Sequence, residues 1–388
     1  MRFIKIFLLL IFIGLATVKA QYPTDSAKVY LITASPGEET YSIFGHSALR
    51  VKDKMQGYDY VFNWGTFDFD TENFYLKFST GKLMYFLSIS EYPDFLNNYR
   101  RSGQAIYLQK LNLSNKEKSV LISNLEINNR EENKYFRYDF FRDNCATRIR
   151  DIIVKSMDGK VVFDSGYAPK PESIRKLFGE HLENEPWTYL GLNLIMGKST
   201  DSIASLSDYM YLPLHLKNLF ESANVVSNEG AKKLTDAPVE LFPTTIVLVK
   251  PSFISTPFAI CLFLFLAVLL FSIWEYLRNR YYKAIDIFLF LITGLLGLLI
   301  TWLWGSSLHI YLHNNLHIIW ASPLNFFAAL ALIFNPFKSW LRYYFAAYAL
   351  SVLLLIPISF FAIQEFAVPV YFLMGIMMVR AIRIYLNK

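Results

Sequence analysis

Charge is scarce in this chain. Of its 388 residues only 18% are Asp, Glu, Lys or Arg, against about 25% in an ordinary soluble domain. That excludes an average soluble enzyme. A disordered chain is excluded as well, because it needs high charge and little apolar surface, and here 54% of the residues are hydrophobic. Cysteine is scarcer still, with two residues, Cys145 and Cys261. Cys261 sits in an uncharged apolar run and Cys145 beside Asp143 and Asn144, so they are unlike partners. Alone they make neither a disulfide framework nor a thiolate zinc site. The 38 basic and 32 acidic residues leave a net charge of only +6, which calls for no nucleic-acid partner. At about 150 residues per domain the length suggests two to three domains.

The apolar excess lies at the two ends. Residues 1–20 have a basic start (Arg2, Lys5), an apolar stretch from Ile6 to Leu15, and the closing Val18-Lys19-Ala20. They read as a signal peptide cleaved after Ala20. From residue 251 a membrane domain follows, with uncharged runs over Ser252–Trp274, Ile287–Ser307, Ile318–Phe337 and Tyr343–Gln364. A fifth run, Phe366–Val379, reaches spanning length if Arg380 and Arg383 snorkel. Five transmembrane helices are predicted. Arg278, Arg280, Lys283, Lys338, Arg342, Arg380, Arg383 and Lys388 fall on one side of these helices, while the loops near 304–317 and 364–365 carry no Lys or Arg. The basic side faces the cytoplasm. Residues 21–250 are then exported and the C-terminus is cytoplasmic, which agrees with a signal peptide followed by an odd number of spans.

Within the exported part, Val29–Thr33, Phe44–Lys52 and Tyr58–Trp64 read as strands. The last two form a hairpin around Asp53–Gly57 that sets His46 across from Asn63 or Trp64. Ser114-Asn115-Lys116-Glu117 has the spacing of a capping box. In YDFFRDNCATRIRDIIVKS (residues 138–156), Asp143 or Asn144 caps a helix whose Ile149, Ile152 and Ile153 form an apolar face. Cys145 thus opens a helix, where unpaired N–H groups and the macrodipole favour thiolate and can hold an oxyanion. A nearby His can move its proton. The exported part offers His46, His181 and His215; His46, in Gly45-His46-Ser47, heads a strand, and the other two lie in amphipathic stretches. A lone Cys is more often a small core residue. The set Phe67, Phe69, Phe74 and Tyr75 reads as core or membrane-facing surface rather than a cofactor site. His309, His313 and His317 would share one face of a continuous helix and could then bind a metal. Flanked by Trp302, Trp304 and Trp320, they read better as an interfacial stretch, with contact to headgroups or to the exported part as a third option.

A His on a strand, a polar residue on the next and a Cys opening a later helix resembles the permuted papain-like order of NlpC/P60-related hydrolases and lecithin:retinol acyltransferase-like enzymes. More narrowly, SPGEETYSIFGHSALRV, YVFNWGTFDFD, FFRDNCATRIRD, WTYLGLNLIMG and YLPLHL resemble the Lnb N-terminal periplasmic domain of Bacteroidetes lipoprotein N-acyltransferases. The likeness covers the exported part well and the membrane part in outline, with GHS and NCAT its most specific segments. It implies an α+β permuted papain-like periplasmic domain followed by an all-α membrane domain in the inner membrane.

The resemblance makes Cys145 the nucleophile and His46 the base. Asn63 is the best candidate to orient the imidazole, with Asp68 and Trp64 near the same place. Glu39, Tyr41 and Ser42 (with Glu38) before His46, Asn144 beside the nucleophile, and His309 and His313 are candidate substrate contacts. Asn193 is given no role. The implied reaction moves an acyl chain from a membrane phospholipid, through a Cys145 thioester, to the α-amine of a diacylated lipoprotein, with no cofactor and no metal. Two alternatives stay open: a periplasmic Cys–His peptidase or amidase, and a non-enzymatic membrane assembly factor.

Overall fold

Strands rich in Val, Ile, Leu and aromatic residues build the first half of the computed structural model, which describes residues 26–387 apart from 169, 248, 335–338 and 362. The segment expected to be a signal peptide, residues 1–20, lies outside the described residues. Strands β1 (Lys28–Ala34), β2 (His46–Asp53), β3 (Tyr58–Thr66), β4 (Met84–Glu91), β5 (Ile106–Lys110), β6 (Tyr135–Arg137) and β10 (Val239–Phe242) form an antiparallel sheet in the order β10-β5-β1-β2-β3-β4-β6. A smaller sheet joins β7 (Lys160–Val162), β8 (Asn224–Ser227) and β9 (Gly230–Lys233). The helices of this α+β domain are α1 (Phe74–Ser79), α2 (Tyr92–Arg101), α3 (Asn115–Asn128), α4 (Cys145–Ser156), α5 (Ile174–Glu180), α6 (Pro186–Ile195), α7 (Leu206–Tyr209) and α8 (Pro213–Ser222). The Ser114–Glu117 capping box is formed at the start of α3.

Both faces of the large sheet are covered. Val29, Leu31, Leu49, Val51 and Trp64 pack with Leu121, Leu125, Ile149 and Ile153 of α3 and α4. Ile32, Ala34, Ala48, Val61 and Ile106 pack with Phe95 of α2. Tyr58–Trp64, whose aromatic residues alternate with Asp59, Val61 and Asn63, therefore has no single dry face. Val61 and Trp64 are buried on opposite faces, while Tyr60 is exposed.

Five helical stretches after residue 256 are long and apolar enough to cross a membrane: α9 (Pro257–Leu277), α10 (Lys283–Ser306), a third made of α11 (His317–Trp320) and α12 (Leu324–Phe334), α13 (Ser339–Phe360) and α14 (Val368–Leu386). The third was expected as one run. Pro323, which has no N–H to donate, lies in the break between α11 and α12. The freed Trp320 carbonyl accepts from Asn325 Nδ2 (3.3 Å) and the Tyr348 hydroxyl, as a backbone group at membrane depth must. The second and third spans meet backbone to backbone, since a Cβ on Gly294 would lie 2.2 Å from Phe326 N.

Arg380 and Arg383 correct the snorkelling expectation. Arg380 is fully buried and bonds Asp286 (2.6 and 3.1 Å), Ser272 Oγ (3.0 Å) and Glu275. Arg383, also buried, bonds the Arg280 carbonyl and lies 3.9 Å from Glu275. Carboxylates from α9 and the start of α10 thus neutralise α14 inside the bundle. The bundle therefore holds buried charge just beyond the ends of its uncharged runs.

The two parts are joined by polar groups removed from water. Asp201, held within the first part by Arg175 of α5 (2.7 and 2.9 Å), accepts from Glu365 N–H of the second (3.2 Å). Gln364, between α13 and α14, donates to the Met196 carbonyl (3.1 Å) and accepts from Leu316 N–H (2.8 Å). Asn193 Oδ1 accepts from Ala367 N–H (3.3 Å), so its amide serves this joint.

Candidate active site

His46 begins β2 directly after Gly45, whose φ of +75° and closeness to β1 (a Cβ there would lie 2.6 Å from the Ala34 carbonyl oxygen) admit no side chain. The β2–β3 register pairs Leu49 with Phe62, so its extension sets His46 against Gly65 rather than Asn63 or Trp64. Asn63, two residues back, still reaches the ring, with His46 Nε2–H donating to its Oδ1 at 2.6 Å. Trp64 is instead buried in the core, and Asp68 is exposed and accepts from Asp70 N–H.

The position of Cys145 is fixed by Asn144. Its Oδ1 accepts from the N–H groups of Ala146 and Thr147 (2.9 Å each), and its Nδ2 donates to the carbonyls of Phe140 and Tyr211 (2.8 Å each). Thr147 Oγ1 accepts from Asn144 N–H in return. All four amide bonds are thus spent on the protein, and Asn144 is 3% exposed. This cap makes Cys145 the first residue of α4, at the mouth of the macrodipole.

With Nε2 engaged by Asn63, the other ring nitrogen of His46 is left for Cys145, and thiol and imidazole share a hydrogen bond. Burial alone would push the thiol up. The charge and hydrogen bond of His46, with backbone N–H groups of Ser47 and Ala146, outweigh it and hold the thiol below its ordinary value. His46 responds in the opposite sense: burial disfavours its charge, but Cys145 and Asn63 raise it above the usual imidazole value. The pair is therefore disposed to thiolate and imidazolium. Cys145 is 7% exposed.

Three surrounding residues carried no sequence signal of a site role. Gly65 lies beside both groups, at a φ of +119°, where a Cβ would come 3.4 Å from His46 Cε1 and 3.8 Å from Cys145 Cβ. Tyr99 of α2 stacks on the His46 ring (centroids 6.4 Å apart). The phenols of Tyr99 and Tyr138 are pushed up by burial and by the nearby charge of Cys145.

The loop that delivers Cys145 turns at Asp139, which bridges to Asp143 and accepts from the N–H groups of Phe141 and Arg142 (3.0 Å each). The membrane part grips this loop. His309 Nδ1 lies 3.7 Å from Asp139 Oδ2, Arg142 Nε donates to the Tyr311 hydroxyl (3.2 Å), and the Phe141 and Tyr311 rings are 4.4 Å apart. His309, His313 and His317 do not share a helix. His309 and His313 flank a short 3-10 turn, and His317 begins α11. His313 Nε2 bonds the Ser307 carbonyl within its own loop (2.9 Å), and buried His317 accepts from Trp320 Nε1 (2.9 Å). Among the described residues no metal-competent group of three His, Cys, Asp or Glu side chains gathers.

The structure thus brings together Cys145, His46 and Asn63, with Asn144 beneath them and His309 one residue removed through Asp139. Glu39 and Ser42 shape the preceding turn, where the Glu39 carbonyl accepts from Ser42 N–H (2.7 Å) and Oγ (2.9 Å). Tyr41 is exposed on that turn. His181 and His215 join another cluster, beside a cavity of about 430 Å³ lined by Tyr167, Glu172, Tyr209 and His215.

Residues 15–178 match the family model of the Lnb N-terminal periplasmic domain, and residues 249–388 match that of the Lnb transmembrane domain. No curated protein and no solved structure matches.

Proposed function

The chain belongs to the Lnb family, as a lipoprotein-processing membrane protein with a periplasmic domain, and from that premise we propose that it is a lipoprotein N-acyltransferase acting through Cys145. The observation that carries this reading is the Cys145–His46–Asn63 relay at the N-terminus of α4.

The Cys145 thiolate attacks an ester carbonyl of a membrane phospholipid. The S–C bond forms, the C–O bond breaks, and His46 gives its proton to the departing lysolipid oxygen. The α-amine of a lipoprotein's diacylglyceryl-cysteine then attacks the thioester. A C–N bond forms, the thiolate leaves, and the amine proton passes to His46. Asn63 holds the imidazole with Nε2 occupied. In the first turn, cap bonds account for the N–H groups of Asn144, Ala146 and Thr147, which makes the Cys145 N–H the natural donor to the tetrahedral oxyanion. The low exposure of the thiol favours an amine over water as acceptor. The basic loops support a cytoplasmic C-terminus, which puts the domain that holds Cys145 on the periplasmic side.

Cells carrying Cys145→Ala in place of the natural chain should accumulate lipoproteins with a free α-amine, read by mass spectrometry of N-terminal lipopeptides. Replacing His46 with Ala should slow transfer by about 10² to 10⁴-fold. Full N-acylation in the Cys145→Ala cells would overturn the assignment.

A further inference from the structure

Helix α1 and the turn before it present large apolar side chains to the surroundings. Phe69 is 63% exposed, Tyr75 81%, Leu76 51% and Phe78 49%, and no residue of α1 is buried. On a water-facing surface such a patch is unfavourable. Its attachment fixes what it faces. Leu308 N–H donates to the Thr80 carbonyl (3.0 Å), Ser307 Oγ to the Ser79 carbonyl (3.0 Å), and His309 Nε2 to the Phe78 carbonyl (3.2 Å). Those three residues follow Ser306, the last of α10, so α1 hangs at the level where the second span leaves the bilayer. Asp68, Asp70 and Glu72 precede the helix, and its first turn holds no acidic residue. An aromatic series also runs inward. Phe78 faces Phe74 (6.4 Å between centroids), Phe74 faces Phe67 (5.7 Å), Phe67 faces Tyr85 (5.0 Å), and Tyr85 stacks on Tyr138 (4.3 Å), whose phenol feels the charge of Cys145.

We propose that the face of α1 bearing Tyr75, Leu76 and Phe78 dips into the lipid leaflet beside the second span, and that the aromatic series from Phe78 to Tyr138 leads a lipid acyl chain from that leaflet to Cys145. The second half rests on the acyl-transfer reading; the first does not. Aromatic and aliphatic side chains at this depth exchange water for the headgroup and acyl boundary, the environment that amphipathic interfacial helices occupy.

The test uses the full chain in phosphatidylethanolamine–phosphatidylglycerol vesicles. In a Cys145→Ala, Cys261→Ala background, a nitroxide is attached at Tyr75→Cys or Leu76→Cys and its access to oxygen and to a nickel chelate is measured. Both positions should be open to oxygen and shielded from nickel, like a label at Phe263 on α9 and unlike one at Met55 on the β2–β3 turn. Labels that behave like the one at Met55 overturn the insertion. In the Cys145-bearing protein, Tyr75→Glu and Leu76→Glu should lower transfer from vesicle lipid about tenfold or more, while iodoacetamide alkylation of Cys145 keeps its rate and so reports an intact fold. Undiminished transfer overturns the lipid route. A natural chain that transfers to no amine at all, with the labels still shielded, removes the acyl-transfer reading and leaves the insertion standing.

Discussion

His309 Nδ1 lies 3.7 Å from Asp139 Oδ2, and this contact ties the loop after the second span to the loop that delivers Cys145. Burial opposes the Asp139 charge, but His309 and the N–H groups of Arg142 and Phe141 keep its carboxyl below the usual range. His309→Ala should slacken the turn and slow Cys145 alkylation about fivefold, the equivalent of roughly 1 kcal/mol. Combined with Asp139→Asn, the losses should be less than additive. Independent, additive losses would show that the contact does not position Cys145.

The opposite shifts of Cys145 and His46 set a pH window. The thiol's value is lowered and the imidazole's raised, so with rising pH the sulfur ionises early and the ring stays charged longer than a free imidazole. Alkylation should persist well below about pH 8.5, where a free thiol has lost reactivity, and fall only where acid reprotonates the sulfur. On the proposed acyl transfer, activity should also fall on the alkaline side, as His46 would lose the proton meant for the leaving oxygen. In His46→Ala burial remains without its counter-charge, so the alkylation profile should move to higher pH. An unmoved profile would sever the pair.

Glu180 is raised to about 7, first by burial and then by Glu172. The folded state therefore holds this proton more firmly than the unfolded chain, whose carboxyl titrates near 4.5. The contribution to stability is fully present below the unfolded value and declines as pH rises through 7. Glu180→Gln should raise the thermal midpoint at pH 8 and change it little at pH 4. A shift of equal size at both would refute this.

Arg380 balances Glu275 and Asp286 where none of the three meets solvent. Arg380→Met leaves two buried carboxylates facing each other and should cost about 3–5 kcal/mol. Adding Glu275→Gln and Asp286→Asn should restore most of it. Thermal scans in detergent micelles report both, and an Arg380→Met protein as stable as the natural one would contradict the pairing.

Local chemistry was the legible part of the sequence. The Ser114–Glu117 box, the Asn144 cap and the helix opened by Cys145 each depend on a few neighbouring residues, and each forms. The hairpin brought His46 to Asn63 but missed the register, because a turn of Asp53–Gly57 composition does not fix which residues pair at the far end of the arms. Tyr99 was invisible, since nothing in a charged amphipathic helix says that one ring will stack on a distant imidazole. The Arg380 pairing was hidden for a similar reason. Its partners lie on other helices just past the uncharged runs, and hydropathy reads one helix at a time.

The joint made by Asp201, Asn193 and Gln364 bears on how the proposed substrates would meet Cys145. With carbonyls and amides bonded across it, the domain that holds Cys145 is no lure on a leash, fishing for lipids at varying heights. On the proposed acyl transfer its sulfur would work at one altitude above the bilayer, and encounters become a two-dimensional traffic problem. Turnover should then track the surface density of donor and acceptor in the vesicle rather than their bulk concentration.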